Sequence, residues 1–364
     1  MHGFTPRWGL GLDIMRKIFQ ILDRKKQPLL LKREKRRLLS YRKRQLKTRG
    51  FQPDGKCHRI VVDMPSALTI QNKRGRRFLL NCIENLKKYV NNRPVLIDFS
   101  STFIQYPTAV LLLTAELDRL KRAGKSRYNV SMIRPKNEVS FQVLLQVGLA
   151  ELCGESSPEQ NDHFDESVRH WRYATGERMN DAPGRAMERF EGHLSGELHE
   201  GIWKGVSEAI VNSVHHAYLE PRRDGFGGAD EVRWWMFSHV RDGNLTVVVC
   251  DLGIGIPRSL PIVWGKSRVA QLLTKFGIVR PEVAAVRAAL EIGATRTQQE
   301  NRGRGLPQVW GDMKTHAGAH LLLLSNKAQL YWNADEKKES EREYDESIFG
   351  TMIMWTVPLS EENS

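Results

Sequence analysis

The sequence predicts two domains of mixed α and β structure that follow a basic N-terminal arm. Three observations predict this organisation: positive charge concentrated in residues 1–50, alternating strand and helix patterns over residues 55–153, and long helices followed by strands over residues 167–360. A chain of 364 residues is long enough for about two domains of ordinary size. We therefore expect a small α/β domain and then an α/β sandwich with a mostly antiparallel sheet.

The N-terminal arm carries almost all of the net charge of +14. Residues 1–50 contain 16 lysines and arginines and three acidic residues, and Leu29–Arg49 mixes this charge with leucines. Such a mixture favours a basic amphipathic helix. The arm could contact nucleic acid, an anionic membrane or an acidic protein surface, or it could pack on its own protein.

The sequence indicates neither a membrane-spanning protein nor a protein stabilised by disulfides. The chain has no run of 18 apolar residues, and its first residues lack the long apolar core of a secretion signal. The four cysteines, Cys57, Cys82, Cys153 and Cys250, lie far apart and form no CxxC pair. We expect a cytoplasmic protein with buried, reduced thiols.

Residues 55–153 alternate between strand and helix patterns. Strands are expected in "HRIVVDMPSALTI", "RPVLIDFSSTFI" and "YNVSMIRP", with helices between and after them. This alternation predicts the small α/β domain. Residues 154–166, rich in Ser, Pro, Glu and Asp, predict a linker.

Residues 167–360 begin with a long helix that has one polar and one apolar face. In "SEAIVNSVHHAY" the polar residues Glu208, Asn212 and His216 recur every four positions, opposite the set Val206, Ile210 and Val214. Four-residue spacing keeps side chains on one helical face. The polar face is therefore either an exposed surface or a site for chemistry.

Strands dominate the rest of this region. "EVRWWMFSHV" and "NLTVVVCDL" flank the turn signal "RDG" and predict an antiparallel hairpin. "AHLLLLS", "AQLYWN" and "GTMIMWTVPL" predict three more strands, and "ADEKKESEREYDES" between the last two predicts a charged loop.

Four pieces of residues 167–360 resemble, in order, the boxes of the GHKL superfamily of ATPases, which includes gyrase, Hsp90, histidine kinases and MutL. "EAIVNSVHHAY" resembles the N box, "DLGIGIP" the DxGxG box, "GRGL" the second glycine box and "GTMIMWTVP" the closing strand. The first piece is most similar to the anti-sigma-factor serine kinases. The resemblance implies a histidine kinase-like domain that binds ATP and Mg²⁺.

The resemblance also implies roles for individual residues. Asn212 would be the Mg²⁺ ligand, a task that suits an amide oxygen on a rigid helix. Glu208 would polarise an attacking hydroxyl, as a general base does. Asp251 would accept a hydrogen bond from the adenine amino group, while Gly253 and Gly255 would let the backbone approach the nucleotide.

Further positions complete the expected nucleotide site. Thr351 would support the aspartate and adenine through a water, and residues 257–301 would form an ATP lid. His216 is open to two interpretations, helix packing or catalysis. The remaining residues of the expected nucleotide site precede a helix whose N-terminal amides can bind phosphates. They are Arg302, Gly303, Arg304 and Gly305.

The first domain resembles a STAS domain, the fold of anti-sigma-factor antagonists, through "VLIDFSSTFIQYPTAVLLLTAELDRLKRAG". The serine that is phosphorylated in many STAS domains falls on Pro107, and Thr108 is a poor substitute. We therefore expect a docking or dimer-forming module.

Three functions remain open at this point. The first is a Mg²⁺-dependent ATPase switch with a lid that closes over the nucleotide. The second is a Ser/Thr protein kinase that acts on a separate STAS-like partner. The third is a non-catalytic ATP-sensing adaptor that docks on nucleic acid or membrane through residues 1–50, and a homodimer is compatible with all three.

Overall fold

In a computed structural model, the chain is described over residues 59–104, 107–123, 130–156, 164–169, 172–187, 194, 196–226, 231–276, 279–296 and 305–359. The described residues all belong to one compact unit, residues 58–364. The basic arm expected at residues 1–50 lies outside the described residues. None of the described helices combines the length and apolar character needed to cross a lipid bilayer.

The first part of the described chain contains a three-stranded parallel sheet. Its strands lie in the order β1-β2-β3, with Ile60 opposite Val95 and Val95 opposite Val130. The predicted alternation of strand and helix is confirmed. The elements are β1 (Ile60–Asp63), α1 (Lys73–Tyr89), β2 (Val95–Asp98), α2 (Pro107–Ala123), β3 (Val130–Ile133), α3 (Glu138–Gln146) and α4 (Leu149–Leu152).

The second part contains a seven-stranded sheet in which every neighbouring pair is antiparallel, in the order β4-β5-β6-β10-β7-β8-β9. The mostly antiparallel sheet predicted here is confirmed. Its elements are α5 (Glu166–Arg169), β4 (Arg172–Gly176), α6 (Ala182–Met187), α7 (Gly196–His216), β5 (Trp234–Arg241), β6 (Asn244–Asp251), α8 (Ile256–Trp264), α9 (Lys266–Phe276), α10 (Pro281–Arg296), α11 (Leu306–Met313), β7 (His320–Ser325), β8 (Ala328–Asn333), β9 (Lys338–Glu343) and β10 (Thr351–Pro358).

The hairpin predicted at "RDG" joins β5 to β6. Arg241 lies opposite Asn244, so the connection has two residues. These are Asp242 and Gly243, with φ angles of 51° and 70°. Positive φ at both central positions is typical of the tight turns that match strand twist.

The prediction of a charged loop between β8 and β10 is wrong, because Lys338–Glu343 forms the edge strand β9. Two of its glutamates are held by the helical layer: Arg287 donates to Glu341 Oε1 at 2.5 Å and to Glu339 Oε1 at 3.0 Å. Polar side chains are also a common feature of sheet edges. The alternating charges therefore belong to a strand whose partners are far away in sequence.

The segment predicted as a linker, residues 154–166, contributes to a hydrophobic core. Its residue Phe164 is buried, and the short helix α5 that follows adds Val168 to the same hydrophobic core. Residues 157–163 lie outside the described residues.

Both faces of the large sheet are covered. On one face α7, α10 and α11 pack on residues such as Trp234, Met236 and Trp355. On the other face α2 packs on β5 and β6, and Trp235 and Val248 share a core with the parallel sheet. The two sheets are therefore joined through a hydrophobic core.

Buried charges reinforce this junction. Asp224, in the segment after α7, contacts Arg119 Nη1 at 2.7 Å, Lys87 Nζ at 3.0 Å and Arg222 Nη1 at 3.2 Å. Arg222 also pairs with Glu116 on α2, with 2.5 Å between Nη2 and Oε1. Burial would raise the pKa of Asp224, but the three cations outweigh it and lower this pKa to about 2.

Candidate functional site

The helix α7 presents the polar face that the sequence predicts. Val206 and Ile210 are fully buried on its apolar face, whereas Glu208 and Asn212 are half-buried. Neither the Glu208 side chain nor the Asn212 side chain makes a hydrogen bond with another described residue. Burial raises the pKa of Glu208, which favours proton uptake relative to an exposed glutamate.

His216 lies one turn further along this polar face and is also half-buried. Burial, followed by the neighbouring ring of His215, lowers the pKa of His216. The two rings meet edge to face, with centroids 6.2 Å apart. A neutral imidazole is favoured at neutral pH, and the choice between packing and catalysis stays open.

Asp251 ends the central strand β6 and lies beside α7. Its Oδ1 accepts hydrogen bonds from the amides of Gly253 at 2.9 Å and Thr351 at 3.2 Å. Its Oδ2 has a longer contact of 3.4 Å with the hydroxyl of Ser213 on α7. That hydroxyl also donates to the Ala209 carbonyl at 2.8 Å, so its single proton is shared. Oδ2 therefore retains most of its capacity to accept a hydrogen bond.

Burial of this carboxylate is costly. Asp251 is only 6% exposed, and burial raises its pKa to about 6 against the opposing effect of its hydrogen bonds. A buried acceptor that can take a further hydrogen bond gains most from a ligand that donates one.

The two glycines of the DxGxG box are required by contacts within the protein. A Cβ on Gly253 would lie 2.1 Å from the carbonyl oxygen of Ala217, at the end of α7. Gly255 has a φ of 75°, and a Cβ there would lie 2.6 Å from the side chain of Asn326. The expected approach to a nucleotide remains a prediction, whereas the structure supplies an internal reason for both glycines.

The loop of residues 252–255, which follows Asp251, is held to the end of α7 and to the start of β10. Ile254 N donates to the Ala217 carbonyl at 2.7 Å, and Leu252 N donates to the Tyr218 hydroxyl at 3.3 Å. Thr351 lies opposite Asp251 in the sheet, with its hydroxyl 3.1 Å from that of Ser325. Thr351 thus supports Asp251 through its backbone amide, and the water-linked contact stays a prediction.

The second glycine box is described only at its end. Gly305 directly precedes α11, as expected for a helix N-terminus. Arg302, Gly303 and Arg304 lie outside the described residues. Their predicted contacts with phosphate therefore stay predictions.

The segment predicted as a lid, residues 257–301, is largely helical. It contains α9 and α10 and most of α8. These helices have a small core of their own, with Leu260, Val269 and Ile292 among its buried members. Residues 297–304, which include the first two residues of the second glycine box, lie outside the described residues.

The sequence did not single out three residues that complete this site: Ser213, Ser325 and Asn326. Ser213 lies next to Asn212 on α7, and Ser325 accepts a hydrogen bond from Ile256 N at 2.8 Å at the start of α8. Asn326 occupies the turn between β7 and β8 with a φ of 51°. An "SN" step after an apolar strand is a turn signal, but its contact with the glycine loop depends on the folded chain.

No metal centre built from protein side chains is found in the described part of the chain, where no three His, Cys, Asp or Glu residues are grouped to hold an ion. Magnesium commonly keeps several waters and binds through one or two protein oxygens together with phosphates. A single amide such as Asn212 fits that mode of binding.

In the parallel-sheet part, Thr108 is completely buried in α2. Its hydroxyl is inaccessible to a kinase in this conformation.

Comparisons of the chain with protein-family models, curated proteins and solved structures find no match. The resemblance to the GHKL superfamily therefore depends on the four sequence boxes, and the resemblance to a STAS domain depends on residues 95–124.

Proposed function

We propose that the protein is an ATP-binding regulator of the GHKL type, in which a Mg²⁺-dependent ATPase acts as a switch. The observation that carries this proposal is Asp251, a buried carboxylate whose Oδ2 can accept a further hydrogen bond and which contacts Ser213 on α7, the helix that also carries the half-buried Glu208 and Asn212. The cytoplasmic location, the STAS-like identity of the first domain and any partner protein belong to the same proposal.

Adenine fits the acceptor at Asp251. The adenine amino group is a hydrogen-bond donor, whereas guanine has a carbonyl oxygen at the corresponding position. A carboxylate would attract the former and repel the latter. Because the site is dry, this difference should separate the two bases strongly.

Glu208 and Asn212 fit the other end of the nucleotide. They are one helical turn apart on α7 and make no hydrogen bond with a described residue. Asn212 would hold Mg²⁺ through its amide oxygen, and the ion would neutralise phosphate charge. Glu208, whose pKa burial raises, would accept the proton of the attacking water.

The test follows phosphate release from γ-labelled ATP with Mg²⁺. We expect steady release by the wild type, loss of about 100-fold in Glu208→Gln with ATP still bound, and loss of Mg²⁺-dependent binding in Asn212→Ala. Glu200→Gln is the matched control, because Glu200 lies on the same helix in an exposed ion pair with Lys204. The control should retain full turnover.

Two results would redirect the proposal. Equal turnover in Glu208→Gln would contradict its role as the base. Bound ATP without phosphate release would contradict the ATPase and favour a kinase that needs its STAS-like partner or an ATP-sensing adaptor.

A further inference from the structure

Arg76 is a charged side chain that is completely buried. It lies in the first turns of α1, in the parallel-sheet part of the chain, but its partners lie in two connections of the large sheet, β7–β8 and β9–β10. Its Nη2 donates to the backbone carbonyl of Asn326, and its Nε donates to that of Glu346 at 3.0 Å. The guanidinium also stacks on Tyr344, 4.3 Å from the ring centroid.

Burial of this guanidinium is unfavourable by itself. It lowers the pKa of Arg76 to about 10, against the opposing effect of nearby tyrosine and glutamate side chains. One donor, Nη1, has no hydrogen-bond partner among the described residues. A leucine or methionine would fill the same space without this cost, so the specific contacts of Arg76 need an explanation.

Asn326 supplies that explanation, because it connects Arg76 to the glycine loop. Its Nδ2 donates to the Ile254 carbonyl at 2.8 Å, and its Oδ1 accepts from Gly350 N at 3.2 Å. The same side chain lies directly under Gly255. One asparagine thus fixes the loops on both sides of Asp251.

We propose that Arg76 and Asn326 are positioning residues for the nucleotide-binding loop, through which the parallel-sheet part of the chain controls nucleotide affinity. This inference rests on the proposed function where it concerns the nucleotide. Arg76 holds the backbone of Asn326, Asn326 holds Ile254 and Gly350, and these residues flank Asp251. Movement of α1 relative to the large sheet would therefore alter the site without any contact between α1 and the nucleotide.

The chain offers a matched control at the next position. Arg77 also reaches the segment before β10, where it pairs with Glu346 and lies 3.4 Å from Asp345 Oδ2, but its side chain is half exposed. Exposed pairs of this kind contribute little to stability. Arg77→Met removes an arginine from the same helix turn and leaves Asn326 untouched.

The experiment measures amide hydrogen exchange without nucleotide and ATP affinity, both on the full chain. In Arg76→Met we expect the amides of residues 253–256 to exchange about 10-fold faster, with β2 as an unchanged internal reference. We also expect ATP to bind about 10-fold more weakly. Arg77→Met should match the wild type in both measurements.

The two measurements separate failure of this inference from failure of the proposed function. Unchanged loop exchange in Arg76→Met would overturn the inference, whether or not ATP binds. If the wild type fails to bind ATP, the proposed function is wrong, and faster loop exchange would still support the positioning role.

A second variant covers the case in which Arg76→Met does not fold. Asn326→Asp is nearly isosteric, tolerates the positive φ and keeps an acceptor for Gly350 N, but it cannot donate to the Ile254 carbonyl. Faster exchange of residues 253–256 in this variant supports the inference, and unchanged exchange overturns it.

Discussion

Replacing Asp251 with asparagine should stabilise the protein in the absence of ligand. The pKa of this carboxyl rises from 3.8 to about 6 because it is buried. A shift of about two units corresponds to about 3 kcal/mol of unfavourable free energy for the charged form. Asparagine keeps an acceptor for the amides of Gly253 and Thr351, so we expect a gain of roughly 1–3 kcal/mol at pH 7.5.

The stability difference between the wild type and Asp251→Asn should depend on pH. Between pH 3.8 and about 6 the folded protein binds more protons at Asp251 than the unfolded chain does. The contribution of Asp251 to stability therefore falls as pH rises through this window. The advantage of Asp251→Asn should be full above pH 6 and should shrink towards zero near pH 4.

Denaturant unfolding of the wild type and Asp251→Asn at pH 7.5 and pH 4.5 measures the difference directly. The same variant should bind ATP more weakly, so stability and binding should move in opposite directions. An asparagine variant that is less stable at pH 7.5, or a difference that does not depend on pH, would refute the reasoning.

Two structural predictions follow from other buried contacts. Arg222→Met should lower the free energy of unfolding by about 3–5 kcal/mol, because it leaves Glu116 buried without its closest cation. A urea titration that shows a loss below roughly 1 kcal/mol would contradict this prediction. Gly255→Ala should destabilise more than Gly265→Ala, measured by thermal unfolding. Both glycines have positive φ, 75° and 83°, but of the two only Gly255 has a described neighbour within 4 Å of the new Cβ. Equal losses in the two variants would show that backbone strain alone decides.

Local sequence patterns were sufficient to predict most of the helices and strands that surround the candidate site. The four-residue spacing on α7 predicted which side is buried, and the "RDG" step predicted the hairpin that ends in Asp251. Both signals are local, because helical periodicity and turn conformation depend on residues close in sequence.

The missed features depend on partners that are distant in sequence. The edge strand β9 is entirely polar and becomes a strand because it pairs with β8 and because Arg287 and Lys314 lie next to its glutamates. Arg76 in the sequence is one of several arginines in an amphipathic helix. Its burial follows from the packing of α1 against a loop some 250 positions away, which no periodicity reveals.

The central claim is that Asp251 lies in a site for adenine nucleotides. Calorimetric titration of the full chain with ATP and with GTP, each with Mg²⁺ at pH 7.5, tests it most directly. We predict that ATP binds, that GTP binds about 100-fold more weakly, and that Asp251→Asn loses the preference. Equal binding of the two nucleotides, or no binding of ATP, would contradict the claim.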